Sequence, residues 1–121
     1  MNYNLKGTNL SITPEIREYL EKKLASLDKV VDERDAARAD VELEYMQGEE
    51  KTYRAEVMLG EPHMRLSLRA EARGVALHEA IDLAVGDILG ELTRAKKKRR
   101  HMLRRGAGKV KDILRGFRDR F

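Results

Sequence analysis

At 121 residues the chain suffices for one domain with a modest core. It contains no cysteine, which excludes disulfides, thiolate metal sites and a cysteine nucleophile; it has no apolar run near the roughly 20 residues that cross a bilayer; and Met1-Asn-Tyr-Asn-Leu5 lacks the basic lead and apolar segment of a signal peptide, so a cytoplasmic location is expected. The net charge of +4 conceals an asymmetry: Arg94 to Phe121 hold 13 Lys/Arg and 2 Asp/Glu, a net +11, which leaves −7 on residues 1–93. An acidic body with a strongly basic end favours a polyanionic partner.

In chain order, Met1, Tyr3 and Leu5 alternate with Asn2, Asn4 and Lys6, the pattern of a short strand, closed by Gly7. Thr13-Pro14 then reads as a helix start, with Thr as N-cap and Pro at the first helical position, where its missing N–H costs nothing. Glu15 and Glu18 suit the positive end of the helix dipole. Ile16, Tyr19, Leu20, Leu24 and Leu27 make an apolar stripe, so the helix is expected over about Pro14 to Leu27. Asp28 to Arg38 is charged, weakly patterned and expected to be a connection.

The period then changes to two. Val41, Leu43 and Tyr45 define one face of a strand and Asp40, Glu42 and Glu44 the other. Turns at Gln47 to Lys51 and Gly60 to His63 separate two more alternating segments, Tyr53-Ala55-Val57-Leu59 and Met64-Leu66-Leu68-Ala70-Ala72. Gly74 closes the last. From Ala76 to Arg105 the pattern is helical again. Leu77, Ile81, Ala84, Val85, Ile88, Leu92 and Ala95 form one stripe, and from Arg94 on the sequence is dominated by cations. Gly86 and Gly90 interrupt it at a cost of about 1 kcal/mol each relative to Ala; close approach to the first helix and a slight bend are the two uses open to them. Gly106 and Gly108 read as a stop. Residues 106–121 are expected to be a flexible basic tail, in which Val110, Ile113, Leu114 and Phe117 recur at helical spacing.

The order is β-α-β-β-β-α. A right-handed crossover sets the first strand parallel to the second, and short turns make the other three an antiparallel meander. The expected fold is α+β, a four-stranded sheet with both helices on its apolar face, resembling a double-stranded-RNA-binding fold. One domain, 1–105, carries the tail 106–121.

Catalytic signals are weak. His63, His78 and His101 have no second ligand at metal spacing, and no glycine-rich phosphate loop is present. Asp40, Glu42 and Glu44 share one strand face, but alternating acids on a strand read as its wet face, with Arg54, Arg65 and Arg69 as partners. No enzyme activity, cofactor or metal is expected. The basic helix end does carry a mechanism: Arg94, Lys97, Lys98, His101, Arg104 and Arg105 cluster on one side, widened by Lys96, Arg99 and Arg100. Phosphate neutralisation by such a face releases counterions. The tyrosines Tyr3, Tyr19, Tyr45 and Tyr53 read as inner-face residues, which argues against base stacking on an open sheet and for recognition of folded RNA by shape and charge. The basic segment lacks the aromatic-rich apolar face of a membrane-surface helix.

The order of elements, the run Leu10-Ser-Ile-Thr-Pro-Glu-Ile-Arg-Glu-Tyr19, the following Lys23-Leu-Ala-Ser-Leu-Asp28, and Glu79-Ala-Ile-Asp82 with Leu92-Thr-Arg-Ala-Lys-Lys-Lys98 resemble the ribosome hibernation-promoting factors, also called ribosome-associated inhibitor or sigma-54 modulation proteins, over about residues 1–101. The resemblance implies a non-enzymatic protein, monomeric off the ribosome, that binds the small subunit and its rRNA near the decoding centre. There it overlaps the mRNA and tRNA sites and silences translation in starvation or stationary phase. It implies RNA contacts from Lys22 and Lys23 on the first helix and from Arg94, Lys96, Lys98 and Arg100 on the second, with Lys97 and Arg99 adding charge. Long members of the family carry a further C-terminal domain that pairs two ribosomes; the expectation here is a short form acting on single ribosomes or aiding their pairing indirectly, with the N-terminal part of a longer protein as the third reading. The chain departs from the family pattern at Ala76-Leu77-His78, where Asp-Met-Tyr is usual, and at Ser26, Asp87 and Gly90, where basic residues are common. Its positive charge is shifted towards the helix end. A general double-stranded or structured-RNA-binding module is the alternative, since α-β-β-β-α is the order of that domain too.

Overall fold

The computed structural model describes the backbone of residues 1–31 and 36–120, with side chains through Arg105. Six elements follow in the expected order: β1 (Asn2–Thr8), α1 (Pro14–Asp28), β2 (Arg38–Tyr45), β3 (Tyr53–Glu61), β4 (Leu66–Gly74) and α2 (Leu77–Arg120). They form one sheet in the order β1-β2-β3-β4. β1 pairs parallel with β2, and β2–β3 and β3–β4 pair antiparallel.

Each element forms for a local reason. The Oγ1 of Thr13 accepts a hydrogen bond from the Ile16 N–H at 3.2 Å, which caps α1, and Pro14 occupies its first position. In β2 and β3 alternate residues turn inward: Ala39, Val41 and Leu43 on one, Ala55, Val57 and Leu59 on the other, all buried. Arg65 adopts φ 53° at the β3–β4 turn, so β4 begins at Leu66, two residues later than the Met64 of the sequence pattern. The core lies between this inner face and the two helices. Leu20, Leu24 and Leu27 of α1 and Ile81, Ala84, Val85, Ile88 and Leu92 of α2 complete it. A fully buried Leu or Ile contributes about 1.5–3 kcal/mol.

The helices run in the same direction side by side: Tyr19 meets His78 and Asp82, and Val30, just beyond α1, meets Lys96. α2 packs over β3 and β4. Its beginning lies by Gly74, at the end of β4, and Ala95, Arg99 and Met102 lie by Leu66, at its start.

One expectation is corrected, and one of the two uses open to Gly86 and Gly90 is closed. The helix does not stop at Gly106 and Gly108 but continues to Arg120. A glycine costs about 1 kcal/mol in a helix interior, and the neighbouring Met102, Leu103, Arg104, Arg105 and Ala107 are good helix formers that offset it. The flexibility expected of 106–121, and the face of Val110, Ile113, Leu114 and Phe117, concern side chains and a terminus outside the described residues. Neither Gly86 nor Gly90 mediates close helix approach. A Cβ at Gly86 meets nothing within 4 Å, and one at Gly90 meets only the Arg94 guanidinium, at 3.4 Å.

These environments predict opposite outcomes for two alanine substitutions. Gly86→Ala fills open space in a helix and raises stability by about 1 kcal/mol. Gly7→Ala places a Cβ 2.4 Å from the Leu10 carbonyl oxygen and destabilises the fold. Urea unfolding of both variants measures the two signs.

Candidate nucleic-acid interface

Because the stripe of α2 turns inward, the opposite face of the same helix must turn out. Past Leu92 the outward positions are cations. Arg94, Lys97, Lys98, Arg100, His101 and Arg104 line one open surface, and all six are exposed. Arg105 is exposed one helical step away. Arg100 therefore belongs to the central cluster rather than to its margin.

The remaining sequence candidates stand elsewhere. Lys96 is partly buried, and its Nζ donates to the Val30 carbonyl at 2.8 Å. Arg99 is half-buried and lines a groove with Met64, Leu66, Ala95, Met102 and Leu103, whose rim Lys98 shares. Both point to the body side of α2. Lys22 is exposed on α1. Lys23 is held against α2: its Nζ lies 3.2 Å from Asp82 Oδ1 and 5.5 Å from the Tyr19 ring centroid. Asp82 precedes Arg94 by twelve residues, about 18 Å along the helix axis, so Lys23 is not brought into the central cluster.

Tyr19, Lys23, His78 and Asp82 form a clasp between the helices. The Tyr19 hydroxyl donates to Asp82 Oδ1 at 2.6 Å, and the Tyr19 and His78 rings lie 4.2 Å apart at 30°. The Tyr19 hydrogen bond, followed by Lys23, holds the Asp82 carboxyl below its ordinary value. The same bond pushes the Tyr19 phenol up, and Asp82 raises the Lys23 ammonium. The sequence offered no signal for this grouping beyond Tyr19 on the first stripe. Tyr3, Tyr19 and Tyr53 pack partly buried against the core, on the inner face as expected, whereas Tyr45 is 37% exposed and packs edge-on to Tyr53. The Tyr3 hydroxyl donates to Glu21 at 2.6 Å.

The outer sheet face is an ion-pair network. The strand register sets Glu42 opposite Glu56 and Glu56 opposite Glu71, a row of three like charges that would repel unrelieved. Arg54 relieves it, with nitrogens 2.7 Å from Glu42, 2.8 Å from Glu56 and 3.2 Å from Glu71. Arg69 adds a contact of 2.7 Å to Glu56. The Arg54 hydrogen bond holds the Glu42 carboxyl below its ordinary value. So held, Glu42 is a poor general acid at neutral pH, and among the described residues no group of three or more His, Asp or Glu is placed to hold a metal. Among the described residues, no helix is long and apolar enough to cross a membrane.

A four-stranded mixed sheet under two parallel helices, one of which carries an exposed cationic face, defines a small α+β domain. The chain belongs to the family described as Sigma 54 modulation protein / S30EA ribosomal protein, whose model matches residues 3–100. It is 31% identical over 98 residues to the ribosome hibernation promotion factor of Bacillus subtilis (strain 168), an alignment covering 81% of this chain and 50% of that protein. It is 36% identical over 111 residues to the one from Deinococcus radiodurans, covering 92% and 56%. The chain thus spans about half the length of these curated relatives. Among solved structures, the Thermus thermophilus protein Y N-terminal domain is 38% identical with a TM-score of 0.67, over 78% of this chain and 98% of that one. A ribosomal subunit interface protein from Coxiella burnetii shares the fold at a TM-score of 0.65 and 19% identity, over 80% and 99%.

The clasp predicts a pH window. A carboxylate with a depressed pKa adds stability above its unfolded value, near 3.9, and loses it as the pH falls through the folded value; a phenol with a raised pKa adds stability below about 10 and loses it as the pH rises through the folded value. The clasp is thus complete between roughly pH 4 and 10. In Tyr19→Phe the Asp82 carboxyl is expected to titrate closer to its ordinary value, by more than in Lys23→Met, as carboxyl-carbon NMR titration measures.

Proposed function

We propose that this domain binds the small ribosomal subunit near the decoding centre, blocks mRNA and tRNA there and silences translation under stress. The observation that carries the reading is the exposed row Arg94, Lys97, Lys98, Arg100, His101 and Arg104 on a helix fixed in the core. The relatives named ribosome hibernation promotion factor support the ribosome as the polyanionic partner. In this reading residues 1–105 are the binding unit, acting in the cytoplasm without catalysis. The central row makes the phosphate contacts, Arg105 and Lys22 extend it, Lys96 and Arg99 set the helix on the body, and Lys23 reaches phosphate only by leaving Asp82. Each phosphate neutralised steepens the salt dependence.

Co-sedimentation tests the reading. The protein is expected to travel with small subunits and intact ribosomes at low salt and to be released as salt rises. Charge reversal at Lys97, Lys98 and Arg100 together weakens binding on the order of 100-fold or more. A protein that stays at the top of the gradient in low salt yet binds generic duplex RNA is instead a structured-RNA-binding module. In a cell-free translation system, excess protein is expected to lower output in competition with initiator tRNA, and the triple reversal to restore it. Unchanged output at several-fold excess over ribosomes excludes silencing.

A further inference from the structure

β4 is an edge strand, and nothing among the described residues covers its outer side: no backbone hydrogen bond outside the β3 pairing involves it. It is nine residues long, continuous in register and free of proline. Unpaired strand edges of this kind are templates for another strand. Its inner residues Leu66, Leu68 and Ala72 are only partly buried, so the core itself is incompletely closed along this edge.

We infer that β4 pairs antiparallel with β4 of a second copy of this chain, about a two-fold axis at Ala70, to give a continuous eight-stranded sheet. Three observations select this occupant. First, an axis at Ala70, the midpoint of Leu66–Gly74, gives the full nine-residue overlap and sets Arg69 opposite the partner's Glu71 and Glu71 opposite the partner's Arg69. Opposite charges directly across a strand pair are favourable. These side chains retain the exposure to meet a partner, 59% for Arg69 and 33% for Glu71. Moving the axis one residue sets Arg69 against itself, or Glu71 against itself with Arg69 against Arg73. The other edge, β1, has no such register: centred on Leu5 it opposes Asn4 to Lys6 and Asn2 to Thr8.

Second, the same axis brings Leu68 opposite the partner's Ala72 on the inner face, which extends the core across the seam where it is now open. Third, the arrangement separates the basic helix ends. α2 overhangs the Leu66 end of β4. An antiparallel seam places the two Leu66 ends apart, so the two cationic overhangs project in opposite directions instead of repelling. The Arg54 network then runs on through Arg69 into the partner. Such self-complementarity is what an isologous interface requires; the proposed dimer departs from the monomer that the family resemblance implies. The inference is independent of the RNA-binding reading.

Two charge reversals test it, with nuclease-treated protein in analytical ultracentrifugation. The mass of the unaltered chain is expected to double with concentration. Arg69→Glu alone opposes two glutamates across the seam, and Glu71→Arg alone opposes two arginines, so each variant is expected to remain monomeric. Mixed together they restore both attractive pairs, and the dimer returns. That recovery also shows that neither variant merely failed to fold. The chain has no cysteine of its own, so the pair Ser67→Cys with Arg73→Cys, opposite each other in this register, is expected to form covalent dimers on mild oxidation, whereas Ser67→Cys alone is not. An unaltered chain still monomeric at about 1 mM, a dimer that survives both reversals, or a mixture that stays monomeric overturns the proposal.

Discussion

The structure depends on one contact, the apolar stripe of α2 against the inner faces of β3 and β4. Ile81, Ile88 and Leu92 are fully buried there, with Ala80 and Ala84 letting the helix approach the sheet. Everything outward follows from that orientation. A helix that must present Ile88 and Leu92 to the core must present Lys97, His101 and Arg104 to the other side, because 3.6 residues per turn leaves no alternative. The stripe thus fixes both the stability of the fold and the direction of its charge. The clasp of Tyr19, Lys23 and Asp82 sets the second helix beside the first, and the Lys96 contact to the Val30 carbonyl closes the other end of the same groove.

Charge in this molecule falls into two classes. On the body, cations are matched to anions: Arg54 lies within reach of four carboxylates, Arg69 bridges Glu56 and Glu71, and Lys23 rests on Asp82. These pairs offset like-charge rows imposed by strand register. On the outward face of α2 the cations are adjacent to one another, and that mutual repulsion is relieved by an external anion. The net charge of only +4 thus conceals a concentrated cationic face on α2.

Most of the fold was legible in the sequence. Period-two alternation in Val41 to Tyr45 and Tyr53 to Leu59 named the inner residues of two strands, and Thr13-Pro14 named the start of α1, because these signals are local. The outward basic face was legible for the same reason, as helical spacing alone places Arg94, Lys97, Lys98, His101 and Arg104 together. What escaped was decided by distant partners. Lys23 and Asp82 are 59 positions apart and Lys96 and Val30 are 66 apart, so no window of sequence shows that two candidate phosphate ligands are engaged within the fold. The end of α2 escaped because the helix formers around Gly106 and Gly108 offset the cost of the two glycines. The triple glutamate row was invisible until register set Glu42, Glu56 and Glu71 abreast.

The unbroken course of α2 has a thermodynamic consequence. Cations on a loose segment must each be ordered when a partner is met, and every ordered side chain and backbone link subtracts from the affinity. From Arg94 to Arg105 the backbone is already fixed by a helix rooted at Leu92, so that entropy is lost on folding and not at encounter. The cations sit at a pitch of about 5.4 Å on a rod. They engage or release as one body, and the spacing of the charges, as much as their number, becomes what the partner has to match.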